Sequence, residues 1–378
     1  MTRAPRIVAI VVVATMIASC DSPPPATPPT NIATGSVPNA LALTTCGDRR
    51  VAVVAVSGGA RVNVIDLDDG SADSHEFAVG SNPWDVVIAD TAVGPRAIVS
   101  LYGTAAVALV DPCSAPPTQL HTIGDDVAMA VEPAVTNRAG DVVTSMLPAN
   151  PQALAVAGDV VWLAWTNIID LAVDDEPMRT GPGLLSRFRI DNDHFVDDGR
   201  VVLPCDNPAA IAVDDRRVVV SCTGRYGRSG DGHTRASDGA IVVVDPASLA
   251  VVDHVELEAS PVSLRLHDGD IVVGDALDGT VRRFDAALLQ QQSTGASADI
   301  ESVFALDVVD GVVVAAGFGA RDFVLVDPFG ANRRVDIAPT RGRGIVDMVS
   351  DGDDGDIFLL MTLSSEIVRL PREEVATP

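Results

Sequence analysis

The sequence predicts an all-β chain built from one repeated supersecondary unit. Three observations carry that reading. The apolar runs are short and rich in valine, alanine and isoleucine, the residues that suit a packed pleated surface. Asp-Gly and Gly-rich turns separate them, as antiparallel hairpins require. The unit recurs seven times at spacings of about 40 to 70 residues, and no long window shows a helical period. Four short strands per repeat mark a β-propeller blade, which must stack on its neighbours to bury both faces. The expectation is therefore a seven-bladed β-propeller.

The elements before the repeats read as an address. Arg3 and Arg6 precede an apolar stretch from Ile7 to Ile17, which is shorter than the roughly 20 residues a membrane span needs. It has the form of a secretory signal peptide. It ends Ile17-Ala18-Ser19-Cys20, and this resembles the lipobox of bacterial lipoproteins. The resemblance implies cleavage after residue 19 and lipid on Cys20, with several acyl chains giving stable anchoring. Asp21 resembles the enteric signal for retention in the inner membrane. Residues 22–30, SPPPATPPT, contain five prolines and should form a stiff polyproline stalk of roughly 30 Å.

The repeats follow. The clearest unit, 245–285, reads DPASLAVVDHVELEASPVSLRLHDGDIVVGDALDGTVRRFD. Related units begin at Val37, Gly80, Asn150 and Asn207, with weaker ones near Ile300 and Gly344. Recurrent Pro-x-x-apolar and apolar-apolar-Asp-Pro patterns resemble the YVTN-type propeller repeats. The tetrapeptide itself is degraded, to Val-Ser-Leu-Tyr at 99–102 and Val-Val-Ser-Cys at 219–222. The resemblance implies the propeller fold over residues 31–371, with 372–378 as a C-terminal tail. The last unit lacks chain for an outermost strand, so residues 31–34 are expected to pair with it and close the ring. Closure would also remove an exposed sheet edge.

Five cysteines are present. With Cys20 reserved for lipid, four remain, and an exported compartment permits disulfides. Four cysteines allow three pairings. In the blade arrangement Cys205 precedes an inner strand and Cys222 ends the second strand, so the two face each other. Cys46 and Cys113 fall on the opposite end of neighbouring blades and form the second expected pair. No Cys-x-x-Cys occurs, which disfavours zinc or haem attachment.

Charge and motifs limit the chemistry. The formal charge is -26, which repels nucleic-acid backbones. The 26 basic residues are all arginine, excluding a catalytic lysine or a P-loop. There is no Gly-x-Ser-x-Gly or His-Glu-x-x-His, and the six histidines are scattered. Asp66-Leu-Asp-Asp-Gly and Asp351-Gly-Asp-Asp-Gly-Asp fall at turns and lack the calcium-loop pattern. No cofactor is expected.

One face of the ring is the candidate binding surface. Loops between second and third strands share it with the loops entering the inner strands. Trp84, Tyr102, Trp165 and Phe318 are expected there. So is the loop TGRYGRSGDGHTRASDG at 223–239, which carries Arg225, Tyr226, Arg228, His233 and Arg235. Arg321, Arg341 and Arg343 should lie near the same rim. Arginine forks suit carboxylates and phosphates, so the expected occupant is an anionic ligand or an envelope protein. The overall reading is a scaffold in the bacterial cell envelope, lipid-anchored and facing the periplasm or exterior. The alternative is a lactonase-like hydrolase on the same architecture, using channel carboxylates drawn from Asp85, Asp275, Asp278, Glu301 and Asp347. Changing Cys20→Ala should abolish palmitate labelling and release the chain from the membrane fraction. A variant that still labels would place the lipid elsewhere.

Overall fold

The computed structural model describes residues 31–372, except 174–175, 231, 288, 292–295, 298–299, 301, 310–311, 319–321, 327–332, 337–343 and 353–354. The signal segment, Cys20, the proline stalk and the C-terminal tail after 372 lie outside them. The fold is an all-β propeller of four-stranded antiparallel sheets. Sheet I runs outward through Pro38–Cys46, Arg49–Val56, Arg61–Asp66 and Ala72–Glu76. Sheet II follows with Pro83–Thr91, Gly94–Leu101, Ala106–Asp111 and Thr118–Gly124. Sheet III is Pro151–Ala157, Val160–Trp165, Leu184–Asp191 and His194–Val202; sheet IV is Pro208–Val213, Val218–Cys222, Gly239–Val244 and Val251–Leu257. Sheet V is Pro261–His267, Asp270–Asp275, Thr280–Asp285 and Ala296–Ser297. Sheet VI is Ala305–Val309, Val312–Ala316, Asp322–Val326 and Arg333–Asp336. Sheet VII has Ile345–Ser350, Ile357–Met361 and Glu366–Leu370, and its fourth strand is Asn31–Ala33 from the start of the described chain.

The second strand of each sheet sets the packing. Val51, Val53 and Ala55 face sheet II, while Ala52, Val54 and Val56 face sheet VII. A strand covered on both faces reads as an unbroken apolar run rather than an alternation. This explains VAVVAV, VVWLAW and IFLLM in the sequence. Outer strands are solvated, and Ala72–Glu76 has no buried residue. Each pair of consecutive sheets shares one apolar cluster, and a further cluster joins sheet VII to sheet I.

Five inner strands begin with proline, at Pro38, Pro83, Pro151, Pro208 and Pro261. Proline donates no backbone hydrogen bond, so it suits the unpaired inner edge. Asn82, Asn150 and Asn207 enter at φ of 49°, 58° and 56°, a left-handed turn that asparagine tolerates better than most residues. A register shift then follows in each of the five strands. Such a bulge re-aims side chains.

Side chains also tie neighbouring sheets at the channel. The Leu154 N–H donates to Asp85 Oδ2 at 2.7 Å, from sheet III to sheet II. The Leu41 N–H donates to Asp347 Oδ2 at 2.8 Å, from sheet I to sheet VII. Arg50 of sheet I meets Asp351, in the turn of sheet VII, at 3.0 Å.

Two disulfides are present, Cys46–Cys113 and Cys205–Cys222, spanning 67 and 17 residues. The first bridges sheets I and II; the second joins the loop leaving sheet III to the second strand of sheet IV. Constraining the unfolded chain over such loops contributes on the order of 3 to 4 kcal/mol each.

Strand Asn31–Ala33 pairs antiparallel with the third strand of sheet VII, Asn31 opposite Val368 and Ala33 opposite Glu366. Ile32 is 2% exposed and joins Phe358, Ile367 and Leu41 in one cluster. Replacing Ile32 by Ala should destabilise the domain by about 2 to 4 kcal/mol, and deleting residues 31–34 should lower the melting temperature further. Calorimetry checks both; an unchanged melting temperature would show that this strand contributes nothing.

Candidate functional site

The inner strands surround a cavity of about 1530 Å³. Its wall is largely small and apolar, with Ala42, Ala153 and Ala210 among the lining residues. Small residues on the inner strands keep this space open. Among the described residues, three charged side chains interrupt the apolar wall, Asp85, Asp347 and Arg265.

Asp85 and Asp347 occupy equivalent places, each two residues after the first paired residue of its inner strand and at the bulge. Each accepts one N–H from the next sheet and one from its own following residue. Val86 donates to Asp85 and Met348 to Asp347, both at 2.8 Å. Both side chains keep some area open to the channel, yet they sit deep among protein atoms. Desolvation dominates, pushing Asp85 up to about 7 and Asp347 up to about 6. The charge of Asp347 pushes Asp85 further up, and that of Arg265 pulls both down. Arg265 also approaches Asp307 at 3.5 Å, and Asp307 accepts the Ser350 N–H at 3.1 Å. Two carboxylates and one guanidinium therefore share the channel wall, with Asp307 paired to that guanidinium.

Three hairpins crown one mouth of this channel. Met129–Thr136 pairs with Val142–Met146, Ile168–Asp170 with Arg179–Thr180, and Tyr226–Ser229 with Gly232–Arg235. They brace one another. The Arg138 N–H donates to Asp170 Oδ2 at 2.7 Å, and Arg138 Nε to Glu176 Oε2 at 2.9 Å. The Met178 N–H donates to the Tyr226 carbonyl at 2.7 Å. Gly224, at φ +70°, starts the third hairpin; a Cβ there would lie 2.4 Å from the Asp238 carbonyl oxygen, so no other residue fits without displacing backbone.

The sequence-derived face is assembled in part. Trp84, Phe318, Tyr226 and His233 line the cavity. Trp84 is 37% exposed and lies 5.2 Å from Tyr102, ring centre to centre. Burial raises the Tyr102 hydroxyl, while its hydrogen bond with Thr166 opposes the shift. Tyr226 is pushed up to about 12 by burial, and its ring meets His233 edge-on at 6.0 Å. Trp165 does not join this face. It is fully buried, and its Nε1–H donates to Ser186 Oγ at 2.9 Å. As the last residue of a second strand it is covered from both sides.

The loop arginines serve the hairpin. Arg225 pairs with Asp206 at 3.3 Å and Arg235 with Asp238 at 3.7 Å. Arg228 turns back toward the Gly230 carbonyl at 3.4 Å. Arg321, Arg341 and Arg343 lie outside the described residues, as does Glu301. Of the other channel carboxylates considered, Asp275 is buried and accepts the N–H groups of Ser260, Leu277 and Asp278. Asp278 pairs with Arg282 at 3.5 Å. Both are committed to local structure.

Sequence reasoning missed Arg265 and Phe304. Arg265 sits in SLRLH, an alternation whose polar member faces the channel. Phe304 lies 6.0 Å from Phe318, just ahead of its inner strand.

No family model and no curated protein matches this sequence. Solved structures do match in fold. A virginiamycin B lyase from Staphylococcus aureus is 12% identical, covering 90% of this chain and 98% of its own, with a TM-score of 0.59. BamB from Moraxella catarrhalis is also 12% identical, covering 89% and 86%, with a TM-score of 0.53. The WD40 β-propeller domain of Doa1 is 10% identical, covering 91% and 96%, with a TM-score of 0.58. These likenesses establish the propeller fold.

The raised carboxyls set a pH dependence. Their native proton affinity exceeds that of the unfolded chain, near 4. Their contribution to stability is therefore fully present below about pH 4 and is lost as pH rises through about 6 and then 7. Urea midpoints measured from pH 4 to 8 should fall more steeply for wild type than for the D85N/D347N variant. Parallel curves would remove these two carboxyls from the titration.

Proposed function

We propose that this chain is a lipid-anchored, extracytoplasmic propeller that holds a ligand or an envelope protein at the crowned mouth of its channel. The observation that carries the reading is the crown itself: three mutually braced hairpins on one face, around one large cavity. Loops mounted on a rigid scaffold are where binding residues concentrate. In this reading residues 1–19 are the lipoprotein signal peptide, 20–30 the lipidated cysteine and stalk, 31–371 the propeller and 372–378 a tail. The lipobox-like stretch supports the anchor, and two disulfides are consistent with an exported compartment. Among the described residues no helix is long and apolar enough to cross a membrane.

The ring has seven blades in this proposal. Support comes from the seven four-stranded sheets, the strand pairing of Asn31–Ala33 with Glu366–Leu370 and the apolar cluster shared by sheets VII and I. The YVTN-type relationship rests on the sequence pattern alone.

A second reading, a hydrolase, has one observation in its favour. Asp85 and Asp347 face a deep cavity with proton affinities near neutral, the range in which carboxyls serve as acids or bases. Fold likeness to a lyase at 12% identity does not carry a reaction across.

Photo-crosslinkers placed at Leu171 and at Val142, both on the crown, should trap a partner in intact cells. One placed at Val93, in the turn between the first two strands of sheet II at the opposite end, should not. Equal trapping from both ends, or from neither, would count against the crown as the binding face.

A further inference from the structure

We infer that the channel selects a small organic cation with an aromatic or aliphatic body, rather than an anion. The inference rests on the binding reading above and names the chemistry of its occupant.

Charge, shape and the mouth all point the same way. The wall carries Asp85 and Asp347, and its guanidinium, Arg265, is approached by Asp307 at 3.5 Å. Arg265 is compensated by Asp307 and also donates to the Leu264 carbonyl at 2.9 Å. Among the described residues Asp85 and Asp347 have no ion-pair partner; backbone N–H groups satisfy them. A carboxylate held this deep is unfavourable when charged, and an entering cation relieves that penalty. Two arginines of the 223–239 loop, Arg225 and Arg235, are already paired with aspartates. They offer an anion little.

The cavity is also wrong for a bare metal ion. About 1530 Å³ is far larger than any ion needs, and its lining is mainly apolar. An organic body fills that space. Around the mouth, Trp84, Phe304, Phe318 and Leu363 are exposed at 37, 37, 41 and 61%, and all four line the cavity. Exposed aromatics suit the flat or apolar part of a ligand, and Trp84 can also receive a cation over its ring face. A ligand entering past these rings would lead with its charge toward the two carboxylates.

Equilibrium dialysis of the full chain in a non-ionic detergent tests this with two matched probes, benzyltrimethylammonium and benzenesulfonate. The ammonium should bind at least about tenfold more tightly than the sulfonate at pH 8, as expected for an occupant near two desolvated carboxylates. The D85N/D347N variant should lose that preference, and Trp84→Ala should weaken ammonium binding several-fold. Arg265→Gln should strengthen it, because it removes a competing positive charge. A misfolded variant does not gain affinity, so this arm stands even if the double variant folds poorly. Equal binding of the two probes, sulfonate preference, no binding of either, or weaker ammonium binding by Arg265→Gln would each overturn the inference. Crown-specific crosslinking alongside any of these results would leave the scaffold reading standing without the cation.

Discussion

Two-sided burial of the second strands is the constraint on which the rest of the structure depends. A strand such as Arg49–Val56 sends alternate valines and alanines into two different interfaces. No single sheet can satisfy it. Each sheet must have a neighbour on both faces, and the chain meets this by placing one four-stranded unit after another around a common axis. The fourth strand of sheet VII comes from the other end of the repeats, bringing Ile32 onto Phe358 and Ile367. That strand's place follows from burial and is not an added device.

Packing alone leaves the inner edges of the sheets open, because each inner strand has no partner on its channel side. Proline at the first position removes one donor, and the bulge that follows exposes others. Asp85 and Asp347 answer this by accepting N–H groups from the adjoining sheets. The same two groups therefore staple neighbouring sheets and charge the channel. Their high proton affinity follows from that placement: the position that lets a carboxyl reach the next sheet also strips its water.

Much of the fold was legible because propeller strands announce themselves by burial class. Continuous runs such as VVWLAW mark strands covered on both faces, and Asp-Gly turns mark the hairpins between them. Asn-Pro pairs mark three of the inner-strand entries. The cysteine pairs were legible once the strands were placed, since Cys222 stands opposite Pro208, near Cys205. The binding face was harder to read. Trp84 and Trp165 both border apolar stretches, yet one is exposed at a bulge and the other is enclosed by two sheets. The distinction was present in the sequence, because Trp165 closes an unbroken apolar run whereas Trp84 follows Asn-Pro. Arg265 gave no comparable signal. Its importance arises from which side of its strand faces the channel, and that depends on register.

The arginines show how composition can mislead about a site. A chain at -26 with every cation an arginine makes any arginine-rich loop look like an anion trap. In the folded protein aspartates outnumber their partners, and the geometry lets many guanidiniums find one. Arg96 meets Asp193 at 2.7 Å, Arg200 meets Asp125 at 2.8 Å, and Arg225 meets Asp206. The loop arginines are accounted for by structure, so the local excess of charge lies where partners are scarce. Inner strands are the scarcest place, because small residues keep the channel open and leave few long side chains to reach across it. Two carboxylates satisfied by backbone donors alone can persist there, and they give the interior a sign opposite to the one the rim sequence implies.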